Sequence, residues 1–455
     1  MRTGSPPVAV RLGAPPERPA EDVPHSPVAR ERENAVSTRT VFGPYARLFA
    51  VPGSTAFSFA GWVARLPIPM LGLGALLLVE GQTGSYGLAG AISGTLALSF
   101  SVASPQWARA MDRRGQGTVL RWAMAAYFLA GFGFVGVVVA DGPRWSWFLL
   151  AALTGAAGPN IGSLVRARWA AALEDAHRRQ TAFALEAVVD EVVFVVGPPL
   201  VTLLATLVVP PAGFLTGIVL GTVGGLWLAG QRETEPAVQP VDPDVPVRRF
   251  AALTSAVLVV AATYTAVGAV FGAVDVVVVG FADAEGAPAF AGLALAVYAG
   301  GSLVAGLAYG VLRLPGTLSS RFLATAVLFG AAAQLLWGVG SLAVLVGAGF
   351  LAGLTIAPVL VSGTSLVESR VPRSALTEAL SWTTTGLTLG VTAGSALAGV
   401  AVDSWGAEAA FAVPALAAAL AAVVALAGAP LLRVRAAPRA FPQDGREWVD
   451  RPAAG

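Results

Sequence analysis

The feature that most limits this chain is a succession of apolar runs, each about 20 to 31 residues long and bounded by short charged clusters. A run of that length crosses a bilayer as a helix, and only helices or closed barrels do so with every backbone polar group bonded. Residues 55–79, 86–107, 117–140, 145–166, 182–208 and 211–230 give six such runs. Residues 251–281, 288–312, 319–339, 341–365, 376–402 and 408–432 give six more. The expected fold class is an all-α membrane protein with twelve transmembrane helices. Composition agrees, with only 12% of residues charged, whereas soluble domains run near a quarter. The chain has no cysteine, so disulfides, thiolate metal sites and cysteine nucleophiles are excluded.

Every one of the 29 basic residues is arginine. Arginine has GC-rich codons, which points to a GC-rich bacterium. The arginines also set an orientation. Arg109, Arg113, Arg114, Arg166, Arg168, Arg178, Arg179, Arg232, Arg248 and Arg249 fall between runs on one side, as do Arg313, Arg321, Arg370, Arg373, Arg433 and Arg435. The opposite loops hold Arg144 and several acids. Positive charge stays inside, so both termini are expected in the cytoplasm of a bacterial inner membrane. Trp145, Trp147 and Trp405 are expected at the outer interface.

Five segments follow from these boundaries. Residues 1–44, rich in Pro, Arg and Glu, read as a disordered cytoplasmic tail. Residues 45–230 form one six-helix bundle, 231–249 a cytoplasmic linker, 250–432 a second bundle, and 433–455 a cytoplasmic tail. The bundles read as repeats. Tyr86-Gly87-Leu88-Ala89 answers Ala291-Gly292-Leu293-Ala294, and Leu164-Val165-Arg166-Ala167-Arg168 answers Leu366-Val367-Glu368-Ser369-Arg370. Duplicated bundles of this kind place a solute site between the halves.

Charges inside the apolar runs mark where chemistry is expected. Span 5 carries Glu186, Asp190 and Glu191, and an ionised carboxylate in hydrocarbon needs a partner or a wet cavity. Glu186 and Asp190 are four apart and share a helix face. Arg65 lies roughly ten residues into span 1, about 15 Å at 1.5 Å per residue, which matches the depth of Asp190 and Glu191. Arg65 is therefore expected to pair with Asp190 or Glu191, with one carboxylate taking and releasing a proton; a permanent ion pair joining spans 1 and 5 is the other reading. Gly197 and Pro198 mark a bend in span 5 where another helix can come close. Asn160, Asp275, Trp382 and Thr383 are the remaining polar groups that a solute cavity could use, though Asp275 could also reach water at the membrane edge and threonine can bond its own helix. Glu378 suits the first turn of span 11 and reads as structural.

The loop between spans 2 and 3 reads Ala108-Arg109-Ala110-Met111-Asp112-Arg113-Arg114-Gly115-Gln116-Gly117. It resembles the Gly-x-x-x-Asp-Arg-x-Gly-Arg-Lys pattern of the major facilitator superfamily. Asp112, Arg113 and Gly115 match, while Ala108, Gln116 and Gly117 depart from it. The resemblance implies two six-helix bundles and a gating loop whose aspartate meets the N-terminal end of span 11. It also implies a monomer. Gly197-Pro198 resembles the end of a span 5 pattern in the family's drug/proton exchangers; Val193 stands where that pattern has a glycine, and the exchangers' span 4 arginine is missing.

The expected activity is secondary active transport of a small organic solute, by alternating access and by proton-coupled export. Proton-coupled or facilitated import of a small metabolite is the alternative of the same kind, and a non-transporting receptor or scaffold is the alternative of another kind. The partners are the solute, protons and lipid. No enzyme, cofactor, metal or nucleic-acid role is expected, because no nucleophile–base pair, phosphate loop or ligand cluster stands in the sequence.

Overall fold

The structure, a computed structural model, describes Met1 and residues 47–238, 254–311, 315–371 and 376–433. The expected N-terminal tail, most of the linker, the C-terminal tail beyond Arg433, and Arg248, Arg249, Arg313, Arg373 and Arg435 lie outside these residues. By contacts the chain divides at Arg47, and Leu48–Gly455 forms one compact unit.

Among the described residues, 12 helices are long and apolar enough to cross a membrane. Spans 1 to 6 are Ser54–Thr83, Tyr86–Arg114, Gln116–Val139, Arg144–Ala172, Thr181–Leu207 and Ala212–Gly230. Spans 7 to 12 are Ser255–Ala284, Phe290–Tyr309, Leu318–Gly338, Leu342–Arg370, Ala379–Trp405 and Ala407–Ala427. The expected class and number of spans are those found.

Several spans are interrupted, and the interruptions matter for the site. Span 1 consists of helices Ser54–Arg65 and Pro67–Thr83, meeting at Leu66. Pro67 has no N–H to donate, so the ladder breaks just before it. Span 4 consists of Arg144–Ala157 and Ile161–Ala172. It therefore continues past residue 166, where the apolar run ends, and carries Arg166 and Arg168 inside the helix rather than in a loop. Span 5 stays helical through Pro198 and Pro199. The aromatic expectation needs one correction. Trp145 and Trp405 are exposed at 69% and 63%, but Trp147 is fully buried and belongs to the core.

The internal repeat has a structural counterpart. Arg168, near the end of span 4, donates to Gln116 at the start of span 3 and to the carbonyls of Leu228 and Gln231 at the end of span 6. Arg370, which answers it in the sequence, donates to Ser319 at the start of span 9 and to the Leu432 carbonyl just past span 12. In each half one arginine ties the same three helix ends together, satisfying carbonyls that a helix terminus leaves without partners. Past span 6, Thr234 accepts from Arg168, and Glu235 accepts from the Gly117 backbone N–H at 3.0 Å. The first residues of the expected linker are thus fastened to the first half.

Candidate functional site

Arg65 occupies the last turn before the break in span 1, and its side chain is completely buried. Its Nε donates to the Gly61 carbonyl at 3.0 Å and its Nη1 to Asp190 Oδ1 at 2.8 Å. Its Nη2 donates to Glu186 Oε2. The other oxygen of Glu186 accepts from Trp169 Nε1 at 2.9 Å, and Trp169 in turn packs edge-on against Phe57. Asp190 has a second cation, since Arg166 Nη2 donates to its Oδ2 at 2.6 Å. Four charged groups from spans 1, 4 and 5 therefore close a neutral network. A buried charge is tolerable only when paired and hydrogen-bonded in this way.

The two carboxylates of span 5 have different surroundings. Glu186 has 0% of its side chain exposed, whereas Asp190 has 31% and Arg166 has 38%. Asp190 and Arg166 border a cavity of about 230 Å³, whose wall also includes Arg65, Asn160, Ile68, Val193 and Phe194. Asn160 caps the second half of span 4, its Oδ1 accepting from Ser163 N–H at 3.1 Å. Helix phase explains the division. Glu186 and Asp190 share a face, so both meet Arg65, and Glu191 is turned about 100° away.

The structure thus brings together Arg65, Glu186, Asp190 and Asn160, and it adds Arg166 and Trp169. Glu191 is half-buried and makes no hydrogen bond or ion pair among the described residues. Asp275 stands apart from this cavity. It is exposed between the buried Val274 and Val276, with no hydrogen-bond partner among the described residues. Trp382 is 38% exposed and Thr383 is buried, its hydroxyl donating to the Leu380 carbonyl at 2.8 Å. Neither lines the cavity. The side chain of Glu378 lies outside the described residues. Gly197 is a close-approach point, because a Cβ there would stand 2.4 Å from Pro69 of span 1. Pro67 and Pro69 serve packing, Pro67 against Gly221 of span 6.

The two ends of the bundle differ. At the acidic side, Asp403 at the end of span 11 caps the start of span 2. Its carboxylate accepts from the Tyr86 and Gly87 N–H groups, both at 2.8 Å, and from the Ser85 hydroxyl at 2.9 Å. Spans 2 and 11 touch backbone to backbone just below, where a Cβ on Gly90 would stand 2.3 Å from the Ser395 carbonyl. Span 8 meets span 5 at the same level, Gly292 against Pro198 and Pro199. Towards the arginine-rich side span 2 is less covered. Span 2 buries Tyr86, Ala89, Gly90, Ile92, Gly94 and Leu96 but no residue from 97 to 110. Asp112 and Arg113 are exposed there, and Asp112 has no partner among the described residues. Gly115 adopts φ 85°, open to glycine, and packs against Glu235.

No family model and no curated protein sequence matches this chain. Solved structures do. A POT family peptide transporter, crystallised in an auto-inhibited form, is similar at 16% identity and TM-score 0.64, covering 86% of this chain and 99% of its own. The nucleoside transporter NupG is similar at 13% identity and TM-score 0.66, covering 84% and 100%. A bacterial homologue of the iron transporter ferroportin, in an outward-facing state, is similar at 16% identity and TM-score 0.58, covering 83% and 99%. The twelve-span fold of this chain is the fold of these transporters.

Proposed function

We propose that this chain is a secondary transporter of the major facilitator type, which carries a small organic solute across a bacterial inner membrane by alternating access and couples that movement to protons. The observation that carries the reading is Asp190, a part-exposed carboxylate held between Arg65 and Arg166 at a cavity wall. Both guanidiniums reach Asp190, and a movement that withdraws span 4 takes Arg166 away from it. In this reading a proton takes the place of the withdrawn guanidinium on Asp190 and leaves when Arg166 returns. Glu186, dry and clamped by Trp169, holds Arg65 in place throughout. Opening the acidic side requires Asp403 to leave span 2, and in the same reading Asp112 closes the arginine-rich side against span 11.

Export in exchange for protons is the direction that the Gly197-Pro198 pattern supports. A cavity with few polar groups would suit export of an apolar solute, but Arg166, Asn160 and Asp190 line this one. Arg166 favours a second reading, uptake of a polar solute together with protons.

Purified protein in liposomes with an imposed pH gradient tests the proposal. Asp190→Asn should abolish gradient-driven solute movement while leaving solute-for-solute exchange intact. Transport that still follows the gradient in that variant would remove Asp190 from the coupling. Protons moving against the solute mean exchange; protons moving with it mean uptake.

A further inference from the structure

We infer that the transported solute carries a carboxylate attached to an apolar body, and that Arg166 with Asn160 receives the carboxylate in place of Asp190. The inference rests on the proposed transport function and names the chemistry of its solute.

A guanidinium has five N–H donors. Arg65 directs its Nε, Nη1 and Nη2 at protein acceptors and is completely buried. Arg166 makes one hydrogen bond, from Nη2 to Asp190, and its remaining donors have no partner among the described residues. Asn160 engages its side-chain oxygen with Ser163, and its NH₂ group has no partner among the described residues. Asn160 is exposed and Arg166 half-buried, and both line the same cavity. Gly162 lies between them, where a Cβ would stand 3.4 Å from both Arg166 Nη1 and Asn160 Oδ1, so the wall there is bare. That wall offers donors. Its carboxylate, Asp190, already has one guanidinium on each oxygen. The complementary ligand group is an anion rich in acceptors, and a planar two-oxygen carboxylate matches the guanidinium fork. Ile68, Val193 and Phe194 complete the cavity with apolar surface, Ile68 exposed at 50% and Phe194 at 42%. They suit an apolar body.

The placement also links solute to proton. A carboxylate on Arg166 takes the guanidinium that Asp190 uses and sets a second negative charge beside it. A proton on Asp190 removes both the competition and the repulsion, so solute and proton load together.

The test is calorimetric titration of the purified full chain with benzoate and hexanoate, each against its uncharged amide of the same shape, benzamide and hexanamide. At least one carboxylate should bind, with its amide weaker by roughly tenfold or more. Asp190→Asn removes the internal competitor and should tighten carboxylate binding by about tenfold. Arg166→Gln should abolish it and leave the amide unchanged; Arg166→Lys, which keeps the charge without the fork, should fall between and serves if the glutamine variant does not fold. Equal affinity for acid and amide, absence of carboxylate binding even in Asp190→Asn, or unchanged binding in both Arg166 variants would each overturn the inference. Failure here is distinct from failure of the transport reading. A chain that moves protons with an uncharged solute keeps transport and loses the carboxylate, whereas carboxylate binding without proton-coupled flux does the reverse.

Discussion

Arg65 and Glu186 form an ion pair in which neither side chain has any exposed surface. Such a pair is costly to break from one side, because the remaining charge stays buried without its partner. Glu186→Ala should therefore destabilise the protein by about 3–5 kcal/mol. Asp190→Asn should cost much less, since Asp190 is 31% exposed and asparagine still accepts hydrogen bonds. Thermal unfolding of both purified variants measures the contrast. Equal losses would mean that the two carboxylates are not divided into a dry anchor and a wet partner.

Asp403→Ala should open the acidic side. The variant removes the acceptor of three hydrogen bonds from Ser85, Tyr86 and Gly87. The chain has no cysteine, so spin labels at Gln82→Cys and Ser404→Cys report without other changes. Both positions are exposed, one at the end of span 1 and one at the end of span 11. A longer mean distance in Asp403→Ala is expected, and an unchanged distribution would show that the carboxylate does not hold this end shut.

Gly90→Val should act in the same direction by a different cause. Its Cβ would stand 2.3 Å from the Ser395 carbonyl, a backbone atom that cannot move without spans 2 and 11 separating. Gly136→Val is the control, because nothing lies within 4 Å of a Cβ there. The same label pair should lengthen in the first variant and keep its distance in the second.

Arg168→Gln should lower stability without touching the cavity. It removes donors to Gln116, Thr234 and the carbonyls of Leu228 and Gln231, two of them at 3.0 Å, one at 2.9 Å and one at 2.7 Å. Charge-assisted hydrogen bonds contribute about 1.5–3 kcal/mol each, less than additively, so a loss of roughly 3 kcal/mol is expected. Thermal unfolding measures it, and carboxylate binding at the folded temperature should be unchanged.

The spans were legible because hydrocarbon length and charge exclusion leave few alternatives. The pairing of span 1 with span 5 was legible for the same reason, since Arg65 and the acids are isolated charges at one depth. The choice between acids was recoverable too. The four-residue spacing that puts Glu186 and Asp190 on one face already favours Glu186 over Glu191 as the second partner. Arg166 and Trp169 were hidden by a boundary. Two arginines end the apolar run at residue 166, yet span 4 runs on to Ala172 because its cations find carboxylate, amide and carbonyl acceptors inside the protein. Asp403 was hidden by distance along the chain, being 318 residues from Ser85. An aspartate near a helix end carries no local sign of which other helix it will cap.

The close approach of spans 2 and 11 at Gly90 and Gly94 gives span 2 leverage. Gly94 is a second point of close approach to span 11, with Thr392 against it. From there to Arg114 the helix extends by about 30 Å at 1.5 Å per residue. With Gly90 and Gly94 as a fulcrum, a tilt of about ten degrees sweeps the Asp112 end through roughly 5 Å, given that arm length. The displacement needed at Asp403 is smaller in proportion to its shorter arm. Loss of contacts by one carboxylate at the acidic end can thereby be matched to a far larger stroke at the other.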